Sequence, residues 1–296
     1  MIVQYAQGAA QRNVQPVASF LAPPVDVPTS VGRFKFYTSS TPFKIPNTKR
    51  AVGGRATQLG YSASDKTYNC QPNALDFPVD KLESLEQQDL ENVMMEAADE
   101  VAAVAGLSHE KTVIDLALAT IGAGTNLSQG GSDDIIAQLD EDIMSVIKAA
   151  KYGSLMGIGL LFGATFWSTV KNHASVRGRY VSGGKNQFAV PDLNDFGQLL
   201  ISKPEVQVSM MVYDDSVEGL AEDIKFVLDK DCIIFARMAN PTRRDPSFMK
   251  TFRLRGQWMK PGTYQTEDGR SDVVKMDWSE DVQITNSAAA IRRKVS

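Results

Sequence analysis

Cysteine is almost missing from this 296-residue chain: Cys70 and Cys232 are the only two, far apart in sequence. That excludes a disulfide framework and a zinc-ligand spacing, and it suits a reducing compartment. Histidine is as scarce. His109 and His173 stand alone, with no Cys, Asp or Glu at ligand spacing around them, so both read as structural. With two isolated histidines and no serine in a nucleophile-elbow context, a Ser-His-Asp centre is not expected. A long apolar run is also lacking. The best candidate, "GSLMGIGLLFGATFW" (Gly153 to Trp167), falls short of the ~20 apolar residues of a spanning helix and carries four glycines. It reads as a buried strand running into a helix. The start, "MIVQYAQGAAQRN", has no basic segment followed by an apolar one, so no secretory signal is expected. Nor is there a strongly basic balance: the net charge of −4 argues against a chain whose main work is coating nucleic acid.

What is present is an ordinary soluble composition, 43% apolar and 22% charged, long enough for one large domain or two modest ones. Its charge is unevenly placed. Residues 1–80 carry a net +4, residues 81–145 a net −12, and residues 146–296 a net +4. A basic front followed by an acidic helical block asks for a partner surface.

Residues 1–33 hold Pro16, Pro23, Pro24 and Pro28 and show little periodicity. "FLAPPVDVPTSVG" is too proline-rich for a helix or a central strand, which predicts an extended arm lying on another surface. "RFKFY" then alternates, with Phe34 and Phe36 on one face and Arg33 and Lys35 on the other, the period of a half-buried strand. "KTYNC" (Lys66 to Cys70) is a second strand. The connection between them includes "NTKRAVGGRATQLGYS", with three basic residues and no acid. A structureless loop of that length is unusual inside a compact domain. It is either disordered or a long hairpin arm packed elsewhere.

Ser84 with Gln87 has the form of a capping box opening a helix, and Leu90, Val93, Met94, Ala97, Val101 and Val104 form its apolar stripe. Glu86, Asp89, Glu96, Asp99 and Glu100 cover much of the rest, and Gly106 is the expected stop. "KTVIDLALATIG" predicts a second helix ending at Gly122. "DDIIAQLDEDIMSVIKAAKYG" predicts a third, with Asp133 and Asp134 at its positive end and Lys148 and Lys151 at the other. A strand "LMGIGLLFG", a short helix "ATFWSTVKNH" and a second helix–strand unit, "LNDFGQLLIS" with "VQVSMMVY", follow. "CIIFARM" is a buried strand. The last fifty residues are mostly strand: "FMKTFRLRGQW", "DVVKMDW", "VQITN" and "AAIRRKV".

No candidate chemistry stands out. Asp133, Asp134, Asp140, Glu141 and Asp142 suggest a divalent metal, but the first turn and solvated face of a helix explain them more simply. "GGRATQLG" lacks the Gly-Lys-Ser/Thr of a phosphate loop, and "GIGLLFG" lacks the third glycine of a dinucleotide turn. "NPTRRDPS" (Asn240 to Ser247) reads as a surface loop joining strands, with a phosphate or inter-subunit contact as the alternative. No cofactor or metal is expected.

From "DIIAQLDEDIMSVIKAAKYGSLMGIGLLFGATFWSTVKNHASVRGRYVSGG" onward the chain resembles the major capsid proteins of tailed bacteriophages with the Hong Kong 97-like fold. An Asp-Ile-Ile helix, an apolar strand, a Trp-bearing helix, Gly-Arg-Tyr and a Gly-Gly pair recur in their axial domain, and the order of segments agrees along the whole chain. The resemblance implies an α+β fold with an N-terminal arm (1–33) and an E-loop β-hairpin (34–78). It implies a peripheral domain with a long spine helix (79–132 and 246–283) and an axial domain (133–245 and 284–296). It implies a non-enzymatic shell protein of the virion, assembled in the host cytoplasm from pentamers and hexamers around double-stranded DNA. Portal, scaffolding and cement proteins are the implied partners, with no membrane. Lacking a long helical segment ahead of the arm, the chain is expected to use a separate or removed scaffold. The inter-subunit contacts are expected from Lys49, Arg50, Arg55 and Lys66 of the E-loop, and from Glu86, Asp89, Glu96, Asp99 and Glu100 of the spine. Some relatives join an E-loop lysine covalently to a neighbour's asparagine. Lys49 and Lys66 match no such motif, so a non-covalent shell is expected. The alternatives are an encapsulin-type compartment, whose usual N-terminal cargo helix the proline-rich residues 14–32 do not fit, and an enzyme of unknown type.

Overall fold

Proline does not prevent a helix where its ring stands at the first position, and Pro16–Leu21 (α1) forms one. The computed structural model describes residues 16–38, 45, 47–58, 63–82, 90–130, 133–150, 157–182, 191–216, 219 and 221–295. Val17, Ala18, Phe20, Leu21 and Ala22 are buried in the main core, and the Phe20 ring meets Phe235 edge-on at 5.2 Å. The chain continues as Pro24–Val27 (β1), a parallel edge strand on Met249–Leu254 (β11), with Val25 and Val27 turned inward. This corrects the expected arm. Residues 16–27 pack on their own chain, because a first-position proline and an edge strand both tolerate the missing N–H. Residues 1–15 of that arm lie outside the described residues.

Two five-stranded sheets organise the rest. The first runs in the order β1, β11, Ser271–Ile284 (β13), Lys260–Gln265 (β12), with Gln71–Asp80 (β4) also pairing β13. "DVVKMDW" and "VQITN", expected as separate strands, are one 14-residue strand. The polar residues between them find partners on the folded chain: Glu280 accepts from the Trp278 indole at 3.1 Å with its other oxygen 2.7 Å from His109 Nδ1, and Asp281 accepts a hydrogen bond from the Asn69 amide at 2.7 Å.

Across this sheet lies Leu90–Ile121 (α2), a single helix of 32 residues, about 48 Å long. Met94, Ala97 and Ala98 pack on Val79 and Val274, and Val101, Ala102 and Ala105 on Met276 and Trp278. Further along, Val113, Ile114 and Ala117 enter the main core. The expected stop at Gly106 is therefore wrong. A mid-helix glycine costs about 1 kcal/mol, and burial on both sides of Gly106 outweighs it. The helix ends at Gly122, whose φ of 76° and amide bond to the Leu118 carbonyl at 2.9 Å form a left-handed cap. The Ser84–Gln87 capping box lies outside the described residues.

The second sheet has the order Thr125–Asn126 (β5), Ala290–Lys294 (β14), Asp231–Arg237 (β10), Gly157–Phe162 (β6), Glu205–Val208 (β7). The central strand is buried from Cys232 to Ala236. Ile135–Ala150 (α3) covers it with Ile135, Ile136, Leu139, Ile143 and Val146, all fully buried. Asp134 caps this helix, its Oδ1 accepting from the amides of Ile136 (3.1 Å) and Ala137 (3.2 Å). Ala164–Asn172 (α4), Ala174–Ser182 (α5) and Leu193–Leu199 (α6) complete the layer. Phe162 stacks on Phe166 at 5.3 Å and Trp167 on Phe196 edge-on at 5.5 Å. "VQVSMMVY" is split: β7 ends where buried Ser209 turns inward to donate to Glu110 Oε1 at 2.7 Å. Val212–Asp214 (β8) then pairs with Ile224–Phe226 (β9) as a separate ribbon.

Candidate inter-subunit surface

Val31–Phe36 (β2) and Ser64–Asn69 (β3) form the root of the expected hairpin, antiparallel from Val31 opposite Asn69 to Phe36 opposite Ser64. Alternation decides its two faces. Phe34 and Tyr68 turn inward onto the Phe252 ring, with centroids 5.1 and 4.7 Å away. Gly32 lies opposite Tyr68, where a Cβ would meet the phenol oxygen at 2.3 Å, so the ring lies across bare backbone. Lys66 extends this face, its Nζ 3.6 Å from the Phe36 ring centroid. Arg33, Lys35 and Asp65 are on the opposite face, and Lys35 pairs with Asp65 at 2.8 Å. The Lys35 hydrogen bond, with charge from Lys35, Arg33 and Arg244, holds the Asp65 carboxyl below its ordinary value.

The root is stitched to the turn 242–247. The Lys35 amide donates to the Arg243 carbonyl at 3.1 Å, and the Tyr37 hydroxyl donates to the Arg244 carbonyl at 2.7 Å. From beneath, Lys250, wholly buried, donates Nζ to the carbonyls of Thr242 (2.6 Å) and Asp245 (2.8 Å) and pairs with Asp245 Oδ2 at 2.8 Å. Burial lowers the Lys250 pKa, and Asp245 opposes that shift. "NPTRRDPS" is thus a surface turn on a buried ionic staple. Arg33, Phe34, Lys35, Asp65, Arg243 and Arg244 line a cleft of about 270 Å³ between root and turn. Sequence reasoning placed Arg33 and Lys35 on one strand face and noted the basic turn. Nothing local could show that residues two hundred positions apart meet.

The described part of the hairpin tip, 45 and 47–58, is closed by bonds of its own. Arg50 donates to the Gly54 carbonyl at 2.7 Å, Thr57 Oγ1 to the Asn47 carbonyl at 2.9 Å, and the Gly54 amide to the Ala51 carbonyl at 2.9 Å. Gly53 supplies the positive φ of 79° that the turn needs. Lys49, Arg50 and Arg55 are exposed, and among the described residues no acid pairs with them. Ile45 (95%) and Val52 (107%) are bare to solvent.

On α2, Glu96 and Glu100 point to solvent away from the packed face, while Asp99 is half-buried. Glu86 and Asp89 lie outside the described residues. Tip and spine are not joined by any described ion pair within the chain. Four of the five acids weighed as metal ligands have other partners, and the fifth, Glu141, is exposed: Asp133 accepts from Ser128 Oγ (2.6 Å), Asp134 pairs with Arg179, Asp140 accepts from the Ile201 amide (2.8 Å), and Asp142 pairs with Arg293. Both cysteines are free and buried, and burial pushes the Cys70 thiol up to about 11.

No family model and no curated protein matches the chain. Solved structures do. A phage-related protein from Bordetella bronchiseptica aligns with a TM-score of 0.72 at 16% identity, over 99% of this chain and 95% of its own. The mature capsid protein of bacteriophage PhiM1 aligns with a TM-score of 0.56 at 10% identity, over 94% and 86%. A virus-like particle protein from Pyrococcus furiosus gives 0.55 at 13%, over 99% and 97%. At such identities the likeness is one of fold: the chain has the α+β fold of phage capsid proteins, as the resemblance implied.

Proposed function

We propose that this chain is the major capsid protein of a tailed bacteriophage, a shell-forming structural protein rather than an enzyme. Pentamers and hexamers would enclose double-stranded DNA, with portal, scaffolding and cement proteins as partners. One observation carries the reading: the mature capsid of bacteriophage PhiM1 aligns along 94% of this chain and 86% of its own, at a TM-score of 0.56.

We assign residues 34–78 to the E-loop, 79–132 and 246–283 to the peripheral domain, and 133–245 and 284–296 to the axial domain. The hairpin would lie over a neighbouring subunit, bringing Lys49, Arg50, Arg55 and Lys66 to the acidic side of that neighbour's spine, Glu86, Asp89, Glu96, Asp99 and Glu100. The support is charge of opposite sign on exposed residues, Lys49, Arg50 and Arg55 against Glu96 and Glu100, that no ion pair joins among the described residues. A cargo compartment is not the better reading: the virus-like particle aligns no better than the PhiM1 capsid, 0.55 against 0.56.

Electron microscopy of the expressed protein, alone and with a scaffold, tests the reading. Closed icosahedral shells or free pentamers and hexamers are expected. A compact monomer at every concentration would refute it, and shells loaded with a folded protein would move it to the compartment.

A further inference from the structure

Four cations crowd the cleft at the hairpin root. Arg33 and Lys35 come from β2, Arg243 and Arg244 from the facing turn, and Asp65 is the one acid among the lining residues, leaving a net +3. Lys35 is occupied by Asp65 at 2.8 Å, whereas Arg33 and Arg243 are exposed with no ionic partner among the described residues. Like charges at this density repel one another in an isolated chain. They are nevertheless held together by a rigid frame: the Lys35–Arg243 backbone bond (3.1 Å) and the buried Lys250–Asp245 staple (2.8 Å). The tip cations have no such frame and ride on a turn held by its own hydrogen bonds. A preorganised basic pocket favours an anion of fixed geometry, because little freedom is lost on pairing.

The same chain carries a matching anion. Glu96 and Glu100 are exposed on α2, four residues or ~6 Å apart along the axis, on a helix anchored in separate cores along its length. Neither has an ionic partner among the described residues. Two carboxylates at that spacing suit two neighbouring guanidinium groups, which bind carboxylates through planar, paired hydrogen bonds. Nucleic acid fits less well. A repeating polyanion wants a track of cations, and this is a single open cleft with a carboxylate in its wall.

We propose that the root cleft of one subunit receives the Glu96–Glu100 pair from the spine helix of a neighbouring copy of this chain. This rests on the shell reading above and assigns the fixed electrostatic contact to the root of the hairpin rather than to its tip.

Three variants test it by shell yield in electron microscopy and sedimentation, with circular dichroism and melting as controls. Arg33→Glu with Arg243→Glu, and separately Glu96→Arg with Glu100→Arg, should each cut shell yield at least tenfold without changing the subunit's melting. Combining all four changes in one chain should restore shells, since the pairing is re-formed with its signs exchanged. Should either reversal disturb folding, Arg33→Gln with Arg243→Gln keeps the test open and should raise the threshold concentration for assembly about tenfold. If the wild type assembles and the Arg33/Arg243 variants assemble equally well, the proposal falls and the shell reading stands. Failure of the fourfold exchange to rescue two defective reversals also overturns it. Normal shells that package less DNA would reassign the cleft to phosphate and overturn it too. A wild type that never assembles sinks the shell reading, and this contact with it.

Discussion

Glu110 is buried on α2 with one carboxylate oxygen accepting from Ser209 Oγ at 2.7 Å and the other without a hydrogen-bond partner among the described residues. Burial raises its pKa above the usual 4.5, and the Ser209 bond opposes only part of that shift. A carboxyl whose folded pKa lies above its unfolded value favours folding less as pH rises. The penalty is absent below about 4.5 and grows as pH climbs through the folded value. Glu110→Gln keeps an acceptor for Ser209 and removes the charge. It should stabilise the subunit by about 1–3 kcal/mol at pH 8, with the gain vanishing toward pH 4.5. Thermal melting of both proteins across that range checks it, and an unchanged or lower Tm for the variant at pH 8 would refute it.

At the scale of elements, α1 and β1 change what a truncation should do. Deleting residues 1–15 leaves every described residue of the core in place. Deleting residues 1–22 takes Phe20 and Leu21, with Val17, Ala18 and Ala22, out of the main core. Full burial of one large apolar side chain contributes about 1.5–3 kcal/mol, so losing this helix should cost several kcal/mol, a large part of a domain's stability. The shorter truncation should melt like the full chain and the longer one should unfold early or aggregate. Denaturant titration of the two separates them, and equal midpoints would show that α1 is dispensable. The same logic explains why α2 passes Gly106: packing along both halves of a helix outweighs one unfavourable residue.

For the whole molecule, the charge asymmetry splits into two roles. The tip cations are fully solvated, where an exposed ion pair contributes about 0–1 kcal/mol, so their effect belongs mainly to encounter rates. Arg50→Glu with Arg55→Glu should slow assembly roughly tenfold at low salt while leaving melting unchanged. The defect should disappear near 1 M salt, where the screening length is about 3 Å. Light scattering during assembly reads this directly, and normal low-salt kinetics would leave the tip with solubility alone. A reversal at the rigid root should persist at salt concentrations that rescue the tip, because enclosed, paired groups are screened less.

Local pattern was enough for much of this protein. The alternation of "RFKFY" determined which side of β2 would be buried, and Gly122 marked a helix end through its tolerance of positive φ. The apolar runs of β6 and β10 announced a buried sheet. These signals are local because periodicity records which face of one element must leave water. Other outcomes depended on what each face met. The polar residues of β13 look like a break until Glu280 faces His109 and the Asn69 amide donates to Asp281. Pro16 looks like a helix breaker until the core takes Phe20 and Leu21. Arg33 and Arg243 are unrelated until β2 lies beside the 242–247 turn. Only the tertiary structure decided these, because burial partners and charge neighbours come from chain segments that the sequence order does not bring together.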